Sequence, residues 1–150
     1  ALFRDGFSQA TERLSQLAQP EDPRRFLVNS VNDFLAFCVD NPGRFHLMLQ
    51  RTVPGFTPSP ESLEAAAQSL QIMIDRAAAA GIESTADIDL LRALINGLAS
   101  EQIANEPGGQ RFISHGERAV TLLLTSIDIA TVIEPAGPRT PVAPKRARRT

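Results

Sequence analysis

Three times in the first sixty residues, a side chain able to cap a helix stands directly before a proline: Asp22-Pro23, Asn41-Pro42 and Ser59-Pro60. The capping oxygen can take one of the N–H groups that a helix start leaves unpaired. Proline lacks the N–H that would go unused in the first helical position, and its φ is already set for a helix. Glu61 then puts an acid in the first turn, where the helix dipole favours it. A fourth start, Ser84-Thr85-Ala86-Asp87, has the spacing of a capping box. Stops are equally plain: Pro20, Gly81 as a left-handed residue after a helix, and Pro107-Gly108-Gly109. Punctuation of this kind commits the chain to helices.

The apolar residues between these marks repeat at spacings of three and four, as one face of a helix requires. A first helix over about 2–18 carries Phe3, Phe7, Ala10, Leu14 and Leu17. A second, from Pro23, carries Phe26, Leu27, Ser30, Val31, Phe34, Leu35, Cys38 and Val39. Phe37 widens that band, which predicts burial on more than one side. A short third helix reaches about residue 51 with Phe45, Met48 and Leu49 facing one way, and the proline-rich 53–60 is a loop. The fourth presents Leu63, Ala66, Ala67, Leu70, Met73, Ile74 and Ala77. The fifth runs to about 105 with Leu91, Leu94, Ile95, Leu98 and Gln102, and the last, over 110–133, has Phe112, Ala119, Val120, Leu123, Leu124 and Ile127. Short β-branched stretches lack hairpin turns. The expectation is an all-α bundle of about six helices in one domain, 1–133.

Residues 134–150 differ in kind. Four prolines, Pro135, Pro138, Pro141 and Pro144, alternate with almost nothing large and apolar, which predicts a disordered tail that cannot offset its ordering entropy. The net charge is −2, and the five bases beyond Glu134 (Arg139, Lys145, Arg146, Arg148 and Arg149) meet no acid there, which leaves −7 on the rest. The body is therefore acidic and unsuited to nucleic acid by itself. The basic run reads either as a contact for DNA phosphate or an acidic partner, or as a solvated terminus.

Other classes fall away. No apolar run reaches the ~18–20 residues of a membrane helix, so no membrane partner is expected. There is no Trp or Tyr, and no secretory signal is expected. A single cysteine, Cys38, cannot form an internal disulfide, and a reducing cytoplasm is the expected compartment. It reads as a small buried apolar residue or, alternatively, as a reactive thiol. His46 and His115 form no ligand pattern, Gly108-Gly109 follows no strand, and Asp87 and Asp89 open a helix, where acids relieve the dipole. No catalytic, metal or cofactor site is expected, and an enzyme resting on His46 or Asp40 is the weakest reading. Phe34, Phe37, Phe45, Met48 and Met73 sit on three successive helices; if they converge, they offer an adaptable lining for a small hydrophobic molecule, and otherwise they are plain core.

Three stretches resemble the C-terminal ligand-binding region of TetR-type transcription regulators. Ala1-Leu2-Phe3 looks like the end of the Lys-Glu-Ala-Leu-Phe segment that opens the connecting helix of that family. The run from Phe37 to Met48, through Asn41-Pro42, is similar to its Phe-Ala-x-x-Asn-Pro-x-x-Tyr-x-Leu-Met junction. Ala78-Ala79-Ala80-Gly81-Ile82, followed by Asp87 to Leu98, resembles its Ala-Ala-Gly … Asp-x-x-x-Ala-Ala … His-Gly-Leu stretch. Where one subgroup carries Trp-x-x-x-His-Gly, this chain has Arg92-Ala93-Leu94-Ile95-Asn96-Gly97.

The resemblance implies an effector pocket among the second to fifth helices, with Phe34, Phe37, Cys38, Phe45, Met48, Met73, Ile95 and Asn96 at the ligand. It implies a homodimer through the last two helices, with Phe112, Ala119, Val120, Leu123, Leu124 and Ile127 at the interface. The first helix would pass a pivot to DNA-binding heads, and an occupied pocket would release DNA. DNA would be bound only by a helix-turn-helix preceding Ala1 in a longer parent chain, for which a start at Ala1, already helix-like, looks like a truncation. The alternative is a stand-alone helical interaction or small-molecule-carrier module.

Overall fold

The structure, a computed structural model, describes residues 1–50, 55 and 57–133. The expected tail at 134–150 lies outside the described residues, as do positions 53, 54 and 56 of the expected loop. The elements are α1 (Leu2–Ser15), α2 (Pro23–Asp40), α3 (Pro42–Phe45) leading straight into a π-helical turn (His46–Gln50), α4 (Pro60–Ala79), α5 (Thr85–Asn105), a 3-10 turn (Ile113–His115) and α6 (Gly116–Val132). This is an all-α bundle of about six helices, with no strand among the described residues.

Each expected cap is made. Asp22 accepts from the Arg24 N–H at 2.9 Å, and Asn41 Oδ1 from the Arg44 N–H at 2.9 Å. Ser59 Oγ accepts from the Ser62 N–H at 3.3 Å, and Ser84 Oγ from the Asp87 N–H at 3.1 Å. Each cap satisfies one orphan donor and contributes about 1 kcal/mol. At the other end of α4, Gly81 turns left-handed with φ 102. That conformation lets the Ile82 N–H reach the Ala77 carbonyl at 2.8 Å and the Gly81 N–H reach Ala78 at 3.0 Å. The chain reverses, and Ile82 is driven fully into the core.

Helix packing produces two apolar clusters. The larger gathers Leu27, Val31 and Leu35 of α2, Phe45, Met73 and Ala77, Ile82, Leu91, Ile95 and Ala99 of α5, and Val120, Leu123 and Leu124 of α6. The smaller gathers Phe3, Phe7 and Ala10 of α1 with Phe37 and Met48. Phe34 and Leu49 pack against both. Gly6 makes the smaller cluster possible, because a Cβ there would lie 2.6 Å from Met48 Sδ. α4 leans on α1 and α2, α5 leans on α2 and α6, and α4 and α5 scarcely touch each other.

Two expectations need correction. The sixth helix starts at Gly116 and not near 110. The buried Gln102 side chain takes the Phe112 N–H at 2.8 Å and the Ile113 N–H at 3.4 Å, which holds that stretch off the helical path. Further, Val120, Leu123 and Leu124 cannot face a second copy, since they are buried against the larger cluster inside the protomer. Ile127 packs against the same cluster, and Ala119 and Phe112 are half-buried. The periodic stripe of α6 is thus its inward face. The large side chains left uncovered on α5 and α6 are Leu90, Leu94, Leu122, Ile129 and Val132.

The first turn of α2 is tied to the last turns of α6 by a two-pronged pair, Arg24 Nη1 and Nη2 to Asp128 at 2.8 and 2.7 Å. Hydrogen bonding from Arg24 holds the Asp128 carboxyl below its ordinary range. A carboxylate lowered in the folded state stabilises the fold above its unfolded pKa, and loses that contribution as the pH falls through the folded value. Acid titration of the thermal midpoint is therefore expected to show a shallower loss in Asp128→Asn than in the wild type at pH values below the ordinary aspartate range. Both side chains are about half exposed, so the difference is small and shrinks further in high salt.

Candidate functional site

Where α4 and α5 part, the two apolar clusters leave a cavity of about 390 Å³. This is within the size range of small-molecule sites. α1 contributes Phe3, Phe7 and Leu14, and α2 contributes Phe34. The π-helical turn contributes Met48 and Leu49. α4 lines one side with Leu63, Ala66, Ala67, Ser69, Leu70 and Met73, and α5 closes the other with Arg92, Ile95 and Asn96. The alanines of α4 leave room that larger residues would fill. The π-helical turn shifts the side-chain register after Phe45, so that Phe45 enters the larger cluster while Met48 enters the smaller one.

Five of the eight expected ligand residues meet at this cavity: Phe34, Met48, Met73, Ile95 and Asn96. Three do not. Phe37 stacks near Phe34, with ring centroids 6.2 Å apart, but its outer face is covered by the Arg44 guanidinium 3.7 Å from the ring centroid. Phe45 and Cys38 are enclosed in the larger cluster. Periodicity placed all three on an apolar face correctly, yet a helix as widely apolar as α2 has more than one such face, and sequence spacing does not say which one meets a void. α1 was the missing wall. Phe3 and Phe7 were legible as its apolar stripe, and nothing in their spacing pointed to a ligand.

The polar groups around the cavity are few. Arg92 and Asn96 stand one helical turn apart on α5. Ser100 follows Asn96 by another turn and accepts a hydrogen bond from Gln50 Nε2 at 3.0 Å. Gln50 in turn meets His46 Nδ1 at 2.6 Å through Oε1. This chain of side chains pins the end of the π-helical turn to α5. His46 thereby has a structural partner and does not line the cavity. Among the described residues, no group of three or more His, Cys, Asp or Glu side chains is arranged to hold a metal ion.

Burial pushes the Cys38 thiol up to about 12, with the nearby Arg44 charge pulling weakly the other way. The thiolate is the reactive form. A rise of three pH units from the ordinary value of 9.0 cuts the thiolate population about a thousandfold. Iodoacetamide at pH 8 is therefore expected to label Cys38 at least about a thousandfold more slowly in the native protein than in denaturant. Mass spectrometry of timed samples checks this. Rapid native labelling would restore the reactive-thiol reading.

The fold and the cavity together define a helical bundle with a ligand-sized, mainly apolar interior site. No protein-family model, curated protein or solved structure matches the chain significantly. No helix among the described residues is long and apolar enough to cross a membrane.

Proposed function

We propose that this chain is the effector-sensing and dimerising core of a TetR-type transcription regulator, in a reducing cytoplasm, and that a small, largely hydrophobic molecule occupies the cavity between α4 and α5. The observation that carries the reading is the cavity itself, apolar on three sides and built from the first five helical segments. The order and spacing of the three family-like stretches support it. In this reading α1, which supplies Phe3 and Phe7 to the cavity wall, passes occupancy on to DNA-binding heads that precede it. The ligand must favour one of two arrangements of the dimer to have any effect, since equal affinity for both shifts nothing. Copies pair through the uncovered apolar side chains of α5 and α6, Leu90, Leu94, Leu122 and Ile129, rather than through the inward stripe of α6.

Two measurements test this. Nile red is expected to bind the wild type and to bind Ala67→Phe at least about tenfold more weakly, because a phenyl ring at this open position plugs the cavity without entering the core. Equal binding by both proteins removes the cavity as the site. Sedimentation is expected to give a dimer that Leu94→Lys and Leu122→Lys dissociate; a wild type monomeric at high micromolar concentration rejects the dimer. A basic helix-turn-helix encoded in frame before Ala1 would separate the regulator from a stand-alone carrier.

A further inference from the structure

The cavity is mainly apolar, and among the described residues the only charge that reaches it is Arg92. Among the described residues no carboxylate joins the lining. The nearest acid to Arg92 is Asp89, one turn earlier on α5, which meets Arg92 Nη1 at 3.5 Å through one oxygen. Both side chains of that pair are half exposed or more, so water screens the contact and holds the guanidinium loosely. The other donors of the Arg92 fork have no partner among the described residues. Asn96 lies one turn further along the same helix and lines the same cavity, and its side-chain amide has no hydrogen-bond partner among the described residues. The rest of the lining includes Phe3, Phe7 and Phe34, with Met48 and Met73 as deformable walls.

We propose that the cavity takes a single-tailed amphiphile with a carboxylate head. The head is held at Arg92 and Asn96, and the tail runs between α4 and α5 toward Phe3, Phe7 and Phe34. This names the ligand class for the site described above and rests on that reading. The charge pattern selects the head. A planar guanidinium matches a carboxylate with two parallel hydrogen bonds, and the Asn96 amide can donate a third. A cationic head would meet Arg92 with no acid in the lining to compensate. A neutral head would leave the arginine unused. The apolar walls select the tail, since each methylene taken out of water contributes about 0.8 kcal/mol.

The test compares decanoate, 1-decanol and decyltrimethylammonium on the intact chain by calorimetric titration. The Arg92→Gln and Ala67→Phe variants follow with decanoate and decanol. Arg92 is half exposed and Ala67 is at the open side, so both variants are expected to keep the wild-type circular dichroism and melting temperature. Decanoate is expected to bind about tenfold more tightly than decanol, and the cation not to bind. Arg92→Gln is expected to erase the preference for decanoate by weakening it about tenfold with decanol unchanged, and Ala67→Phe to weaken both. Decanol and decanoate binding equally well, both weakened by Ala67→Phe and neither by Arg92→Gln, would overturn the carboxylate head and leave the hydrophobic cavity standing. Binding of none of the three, or binding untouched by Ala67→Phe, overturns the cavity reading and this proposal with it.

Discussion

Replacing Gln102 with leucine is expected to lower the stability of the fold by about 2–4 kcal/mol, read as a shift of the urea midpoint without a change in slope. Gln102 is the largest buried polar side chain, 1% exposed, and it stands at the last turn of α5. Its carbonyl oxygen takes the Phe112 and Ile113 N–H groups, and its amide nitrogen donates to the Glu106 carbonyl. One side chain thus satisfies three backbone groups of a turn that contains Pro107, Gly108 and Gly109 and has no regular structure of its own. Leucine has nearly the same volume, so packing survives while the backbone groups lose their partners. A fully buried backbone group left unpaired costs about 1–3 kcal/mol; these three are part-buried, so water recovers part of each loss and the sum comes to about 2–4 kcal/mol. Glutamate keeps the acceptor and, when ionised, cannot donate to Glu106, so Gln102→Glu should be harmful above the carboxylate range and milder below it. A leucine variant as stable as the wild type would mean that water serves the turn equally well.

Phe45→Ala is expected to cost about 3–5 kcal/mol, the range for removing a fully buried phenylalanine, with no change in ligand contacts beyond what loss of the fold brings. Phe45 is 2% exposed and belongs to the larger cluster, but does not itself line the cavity. At about 0.05–0.15 kcal/mol per residue a domain of this size holds roughly 7–20 kcal/mol in reserve, so the variant is expected to fold but with a clearly lowered urea midpoint. Met48→Ala gives the contrast. Met48 lines the cavity and fills the space beside Gly6, so its loss should reduce ligand binding more than its smaller stability cost accounts for. Chemical denaturation and Nile red titration of the two variants side by side check both statements. Weaker Nile red binding by folded Phe45→Ala at low temperature would return Phe45 to the site.

The helices were legible because their starts are written in chemistry that acts over three or four residues. Asp22, Asn41, Ser59 and Ser84 cap where spacing says they should, and Gly81 turns where a left-handed residue is needed. Failures came where a distant side chain decides local structure. The delayed start of α6 depends on Gln102, which lies ten and eleven residues before the N–H groups it holds, and it could have been suspected from a lone polar residue on the apolar face of α5. The inward face of α6 was misread because Val120, Leu123 and Leu124 have the same spacing whether they meet their own chain or a partner. The cavity was half legible for a similar reason. Phe34 and Phe37 have equal hydrophobicity, and only the placement of Arg44 over Phe37 decides which ring is available.

Because α4 rests on α1 and barely meets α5, the bundle has a natural parting line. Local opening follows the least-supported boundary between packed units. A guest too bulky for the void would therefore wedge the α1–α4 pair outward as a slab, with α2 as the axle common to both halves. The size of the guest would be converted into a tilt of the amino-terminal segment, and amide exchange should report it as slower along α4 for a snug guest and faster for an oversized one.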